Sequence, residues 1–178
     1  MTTAQIHTAY VGLGSNLPSQ AGTPTETIRA AMSALSEAGE VIARSSLYET
    51  APVGWIDQPS FVNAVVVLRT AEAPEALLEK LLAIERRFGR DRGNSVSKGP
   101  RTLDLDLLMV DDAIVNTPTL SLPHPELAER RFVLAPLAEI GPEVRHPVLG
   151  KTIHELLLAL PNTGENKSDC VRMMQRYP

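Results

Sequence analysis

Residues 99–109, GPRTLDLDLLM, carry the densest chemistry in this chain. Leu103, Leu105 and Leu107 alternate with Asp104 and Asp106. A period of two puts the leucines on one face of a strand and both carboxylates on the other, about 7 Å apart along it. An ordinary antiparallel strand with one wet face shows the same alternation. Two features weigh against that bland reading. Aspartate is a poor strand former, so a plain wet face would more often carry Thr, Lys or Glu. Arg101 also precedes Asp104 by three residues, behind a Gly99-Pro100 turn. The chemical reading is a magnesium site, because magnesium takes oxygen ligands and is held by one or two carboxylates together with substrate phosphates.

The preceding loop, RDRGNSVSKGPR at 90–101, holds Arg90, Arg92, Lys98 and Arg101 against the single acid Asp91. Arginine grips phosphate oxygens through two parallel hydrogen bonds. A basic loop beside paired acids is the charge layout of phosphoryl transfer, and its polar, glycine-containing composition suits a lid. A solvated loop making surface pairs of little energetic value is the competing reading. Gly12-x-Gly14 lacks the lysine and spacing of a phosphate-cradling loop and reads as a tight turn, so side chains and metal would have to hold any phosphate.

Other candidates are weaker on the residues alone. His124 lies between Pro123 and Pro125, which restrict the backbone and fix its direction, although a lone histidine is more often structural. Arg130 and Arg131 sit at a helix start, the wrong end of the dipole for cations, which hints at an anion nearby. Asn63, beside Phe61, could read a ligand's paired donors and acceptors, but the residues alone favour a turn cap. Glu85, late in its helix, is expected to face solvent. Cys170 has no partner cysteine and no Cys/His pair sits at zinc spacing. No local motif supports a Ser-His-Asp triad.

The elements that must position these groups follow from periodicity. A strand is expected over 6–13, a helix capped by Thr25 over 25–38, a strand over 41–49 and a strand over 62–70. Pro74 opens a helix to Phe88, followed by the Asp104/Asp106 strand. A hairpin at Asp111-Asp112 leads to a small strand near 113–115, and helices follow from about Arg131 and over 152–159. The order β-α-β-β-α-β is that of an α+β, ferredoxin-like core, an antiparallel sheet with two helices on one face. The later helices would cover the other face, giving three layers, α-β-α. At 178 residues one domain is expected, 1–178, with its core over about 6–160 and a polar tail over 161–178.

Composition narrows the class. A net charge of −4 argues against a nucleic-acid binder. No apolar run approaches the ~20 residues that span a bilayer, and no signal peptide is evident, so a cytoplasmic protein is expected, as a monomer without membrane or nucleic-acid partners.

Six ordered stretches give the chain a family likeness: GLGSN at 12–16, YETAPVG at 48–54, DQPSFVNAV at 57–65, IERRFGR at 84–90, GPRTLDLDLL at 99–108 and LPHPELAERRFVLAPLAEI at 122–140. Through them the sequence resembles the 6-hydroxymethyl-7,8-dihydropterin pyrophosphokinases of folate biosynthesis, from about Tyr10 to Leu160. The resemblance implies transfer of the β,γ-diphosphate of ATP to a pterin hydroxymethyl group, giving AMP and the pterin diphosphate. It implies that Asp104 and Asp106 bind two magnesium ions and that Arg90, Arg92 and Arg101 are catalytic cations. Glu85, Leu107, Ser121, His124 and Arg130 would serve the nucleotide, and Thr50, Pro52, Val53, Phe61, Asn63 and Phe132 the pterin. Some members carry an aromatic before Gly-Pro-Arg where this chain has Ser97-Lys98; Trp55 in the other loop is available to compensate. Two other readings of the aspartate pair are a metal-dependent phosphoesterase and a non-catalytic pterin- or nucleotide-binding module.

Overall fold

The computed structural model describes residues 5–52, 57–93, 97–161 and 171–175, the last stretch by its backbone. The chain runs β1 (His7–Ser15), α1 (Pro24–Ala34), a 3-10 turn (Leu35–Glu37), β2 (Glu40–Arg44), β3 (Leu47–Thr50), β4 (Phe61–Thr70), α2 (Pro74–Arg87) and β5 (Asp104–Val110). A ribbon of β6 (Val115–Asn116) and β7 (Ser121–Leu122) follows, then a 3-10 turn (Leu127–Glu129), α3 (Arg131–Ile140), α4 (Ile153–Ala159) and β8 (Val171–Gln175). The main sheet runs β5-β1-β4-β3-β8 with β2 also on β4, and every pairing is antiparallel. This is the expected ferredoxin-like order.

Alternation within the strands sorts residues onto two faces. Ala9, Val11 and Leu13 of β1, the even-numbered residues from Val62 to Leu68 of β4, and Leu105 and Leu107 of β5 pack with Leu103 against α1 and α2. The opposite face packs Val65, Leu108 and Met109 against α3 and α4 through Val133, Leu134, Leu137, Ile153 and Leu156. Helices therefore cover both faces. Burial on both sides explains why β4 reads as a continuous apolar run rather than an alternating one.

Several local expectations shift. The cap of α1 is Thr23, two residues before the expected Thr25; Glu26 Oε2 accepts from the Thr23 N–H at 2.7 Å to complete a capping box. The strand expected over 41–49 is two strands. They part at Ser45-Ser46, where Ser45 Oγ accepts from the Val65 N–H (2.8 Å) and the Ser46 hydroxyl donates to Glu139 (2.7 Å). The turn at Asp111 forms with φ +46°, but β6 pairs with β7 in a separate ribbon. Residues 171–175, expected in a polar tail, add β8 to the sheet along β3. Gly12 and Gly14 lie inside β1, not in a tight turn.

Candidate active site

The site is built on the α3 side of the sheet, where β5, β1, β4 and β3 lie side by side. Cross-strand partners share a face, and the register aligns Asp104 with Gly14, Asn63 and Tyr48 in one row. Asp106, Gly12 and Val65 form the next row. The two glycines are thus the residues beside the two aspartates. At Gly14 a Cβ would come within 2.9 Å of Asn63 Oδ1, so only glycine leaves the amide its place. Phe61 pairs with Thr50 one row further along.

Cations converge on the carboxylates. Arg101 Nε lies 3.1 Å from Asp104 Oδ2, and the Arg92 and Arg90 guanidinia lie 3.6 and 3.9 Å from Oδ1. Arg130 stands 3.5 Å from Asp106 Oδ2 and also pairs with Glu126. Burial, and then the neighbouring charge of Asp104, push the Asp106 carboxyl up to about 6, against the pull of Arg130 and Arg101. The Nε atoms of Arg90 and Arg101 are buried without a hydrogen-bond partner among the described residues. Arg101 Nε nevertheless has Asp104 Oδ2 at 3.1 Å, so the Arg90 Nε is the one left open to an oxygen ligand.

Glu85 does not face solvent as expected. It is 1% exposed, takes Arg92 through both oxygens (2.7 and 2.8 Å), and accepts the Leu105 N–H at 2.8 Å. It thereby ties α2, the basic loop and β5 together, and its hydrogen bonds raise the pKa of Arg92. The backbone N–H of His124 donates to Leu108 O (2.8 Å), and its ring Nδ1 accepts from the Glu126 N–H (3.2 Å). Burial, then Arg130, lower its pKa, so the ring is neutral at neutral pH and carries its proton on Nε2.

Beside the carboxylates opens a cavity of about 210 Å³. Phe61 and Phe132 provide flat apolar wall, Asn63 and Thr50 provide polar groups, and Arg101, Arg130, Lys98 and Glu126 provide charge. Asn63 is no turn cap: it is 7% exposed, inside β4, and its Nδ2 donates to Thr50 Oγ1 at 2.5 Å. The Arg101 guanidinium lies 4.7 Å from the Phe61 ring centre and that of Arg130 lies 5.6 Å from Phe132. The same two arginines thus border both the aromatic pocket and the carboxylate pair.

The structure brings Arg90, Arg92, Arg101, Asp104, Asp106 and Arg130 together, with Thr50, Phe61, Asn63 and Phe132 adjoining them. Leu107 is 4% exposed and packs in the α1/α2 core, so its side chain points away from the aspartates. Its place on the opposite face follows from the same alternation that exposes them. Ser121 sits half-buried in β7 opposite Asn116, and Pro52 is half-buried just past β3. Val53 and Trp55 lie outside the described residues.

Sequence reasoning overlooked Asn16, which is 2% exposed. Its Oδ1 accepts from the Arg101 N–H (2.8 Å), and its Nδ2 donates to Gln58 Oε1 (2.9 Å) and Pro59 O (3.0 Å). It joins the end of β1 to the segments before β4 and before β5. The only signal was its place in GLGSN, since hydrogen bonds across 85 residues have no local pattern.

A ferredoxin-like α+β scaffold, with a flat, amide-edged pocket opening onto an arginine-ringed carboxylate pair, is the frame of this site. The chain belongs to the family described as 7,8-dihydro-6-hydroxymethylpterin-pyrophosphokinase (HPPK), which matches residues 10–142. It is 44% identical over 161 residues to the 2-amino-4-hydroxy-6-hydroxymethyldihydropteridine pyrophosphokinase of Pseudomonas aeruginosa, covering 89% of this chain and 95% of that protein. To the Pneumocystis carinii folic acid synthesis protein fol1 it is 39% identical over 169 residues, 89% of this chain but 22% of that one. Among solved structures, the Plasmodium falciparum HPPK-DHPS triple mutant with pteroate superposes with a TM-score of 0.66 at 18% identity, over 86% of this chain and 43% of that one, a likeness of fold. No helix among the described residues is long and apolar enough to cross a membrane.

Proposed function

We propose that this protein transfers the β,γ-diphosphate of ATP to the hydroxymethyl group of 6-hydroxymethyl-7,8-dihydropterin, as a cytoplasmic, monomeric enzyme of folate synthesis. The observation that carries the proposal is the continuity of the two half-sites through Arg101 and Arg130. Each guanidinium lies beside a pocket aromatic and within 3.5 Å of a site carboxylate. The names of the relatives, which are pyrophosphokinases of this pterin, support it.

In this reading the pterin ring lies between Phe61 and Phe132, with the Asn63 amide hydrogen-bonded to its edge. Both guanidinia now border the ring faces, so they move toward the phosphates as the ring enters. The hydroxymethyl oxygen bonds to the β-phosphorus as the bond from that phosphorus to the α,β-bridging oxygen breaks. The bridging oxygen keeps the electron pair and departs with AMP. The alcohol proton passes to a phosphate oxygen or to solvent. Arg90, Arg92 and Arg101 stabilise the charge on the transferred oxygens, so catalysis rests on positioning and electrostatics. Neutral His124 offers its Nε2 proton as a donor to phosphate.

Asp104 and Asp106 fit magnesium: both are on one face, and a cation would offset the burial and the Asp104 repulsion that together raise the Asp106 pKa. Two ions bound there with ATP would offset triphosphate charge and polarise the phosphoryl oxygens.

Nucleotide chromatography tests the proposal. The protein with ATP, magnesium and the hydroxymethyl dihydropterin should yield AMP and pterin diphosphate, with no AMP when pterin is omitted. ADP or inorganic phosphate formed regardless of pterin would replace this reading with a phosphoesterase. Pterin binding without turnover would leave a binding module.

A further inference from the structure

One charged pair in the pocket wall has no part in the transfer just described. Lys98 has φ +58°, a left-handed backbone that residues bearing a Cβ rarely adopt. It is held there from outside: its carbonyl accepts from Gln58 Nε2 at 3.0 Å, and Gln58 Oε1 in turn accepts from Asn16 Nδ2 at 2.9 Å. From that backbone the side chain lines the cavity, with Nζ 3.7 Å from Glu126 Oε1. The other oxygen of Glu126 holds Arg130, which faces both the Phe132 ring and Asp106. Charges therefore alternate without a break along Lys98, Glu126, Arg130 and Asp106, from the turn before Arg101 to the carboxylate pair.

We propose that Lys98 and Glu126 are positioning residues for the heterocycle: they form a clasp that fixes the 97–101 turn against the segment before α3 and so sets the width of the pterin pocket. The proposal rests on the function given above. An isolated exposed ion pair contributes little, because water screens it and two long side chains lose freedom. This pair differs in two ways. One partner's backbone is already fixed in the orientation that points it inward, and the other is gripped from its far side by Arg130, so less freedom remains to be lost. The pair contacts the pocket wall and not the reacting phosphorus, so its effect falls on pterin affinity more than on the chemical step.

The test is a double-mutant cycle in the full chain with Lys98→Ala, Glu126→Gln and the two combined, plus Lys98→Arg. Each single variant should raise KM for the pterin about fivefold, with a smaller change in kcat and in KM for ATP. The double variant should be no worse than the poorer single one, and Lys98→Arg should stay within about twofold of the parent. The gap between Lys98→Ala and parent should shrink at high salt, where surface charge is screened. Unchanged KM values, additive effects, or a Lys98→Arg variant behaving like Lys98→Ala would overturn the clasp. If the parent chain makes no AMP, the functional reading fails on its own, and the same cycle is read through equilibrium binding of the fluorescent pterin. A parent that does not bind pterin, or a cycle without coupling there, also overturns the clasp.

Discussion

Asp106 is the residue at which structure and chemistry conflict most. Its carboxylate is half-buried beside Asp104, so the metal-free protein bears a cost for keeping it ionised. An acid whose folded pKa is raised from 3.8 to about 6 supplies stability that is full below the lower value and lost as pH rises through the higher one. At pH 7.5 that stability is gone. Asp106→Asn removes the charge, so in metal-free buffer the variant should melt higher than the parent, by about 1–3 kcal/mol of stability. The same variant should lose roughly a hundredfold or more of its turnover, since a carboxylate proposed to hold magnesium is gone. A melting curve and a steady-state assay on one preparation check both. A variant that is less stable and equally active would remove Asp106 from the site. Asp104 is different in kind: three arginines surround it, at 3.1, 3.6 and 3.9 Å.

At the scale of elements, β1 contributes to the site by what it lacks. Gly12 and Gly14 stand beside Asp106 and Asp104 in the register, and their missing side chains leave the floor open over both carboxylates. In Gly14→Ala the new methyl must displace Asn63 Oδ1, 2.9 Å from its Cβ, and with it the amide that lines the pocket. We expect KM for the pterin to rise ten- to hundredfold, a misplacement effect, while the melting temperature moves by only a few degrees. Equal losses toward ATP and pterin would show instead that the strand as a whole had shifted. Glu85 is the counterpart from α2: one buried carboxylate satisfies both the β5 backbone and Arg92, so the helix sets the position of the basic loop relative to the aspartates.

For the whole molecule, the pH dependence of stability combines groups far apart. His146, away from the site, is 6% exposed, and its Nδ1 accepts from the Val148 and Leu149 N–H groups at 3.3 and 3.2 Å. Burial lowers its pKa below 6.5, so the unfolded chain takes up the proton first. Its contribution is complete above the unfolded value and declines as pH falls through 6.5 toward the folded one. Asp106 acts with the opposite sign, gaining stability as pH falls below about 6. Melting temperatures from pH 8 to 5.5 separate the two when both are measured in the Asp106→Asn background. There the falls due to His146 and to His124, whose pKa burial also lowers, should remain, and His146→Gln should remove the first. A fall left unchanged by His146→Gln would place its origin elsewhere.

Local signals reached far in this chain because so many of its rules are short-range. Period two across 103–107 places two aspartates on one face and three leucines on the other, and the structure keeps that division. The helix starting at Arg131, the Pro74 start of α2 and the order of elements that makes the sheet are likewise written in spacing, capping and turn residues. What the sequence could not decide by itself depends on contacts between distant residues. Glu85 stands four residues after Leu81 and three before Phe88, in line with the buried face, but only the approach of β5 and the basic loop supplies the partners that let a carboxylate be buried there. Gly12-x-Gly14 looks like a turn until β4 and β5 flank it. Asn63 looks like a cap until Thr50 and Gly14 flank it across the sheet. Residues 171–175 carry no strong pattern and become a strand because β3 presents a free edge of backbone donors and acceptors. Periodicity fixes which way a side chain points, whereas the tertiary structure decides what it meets there.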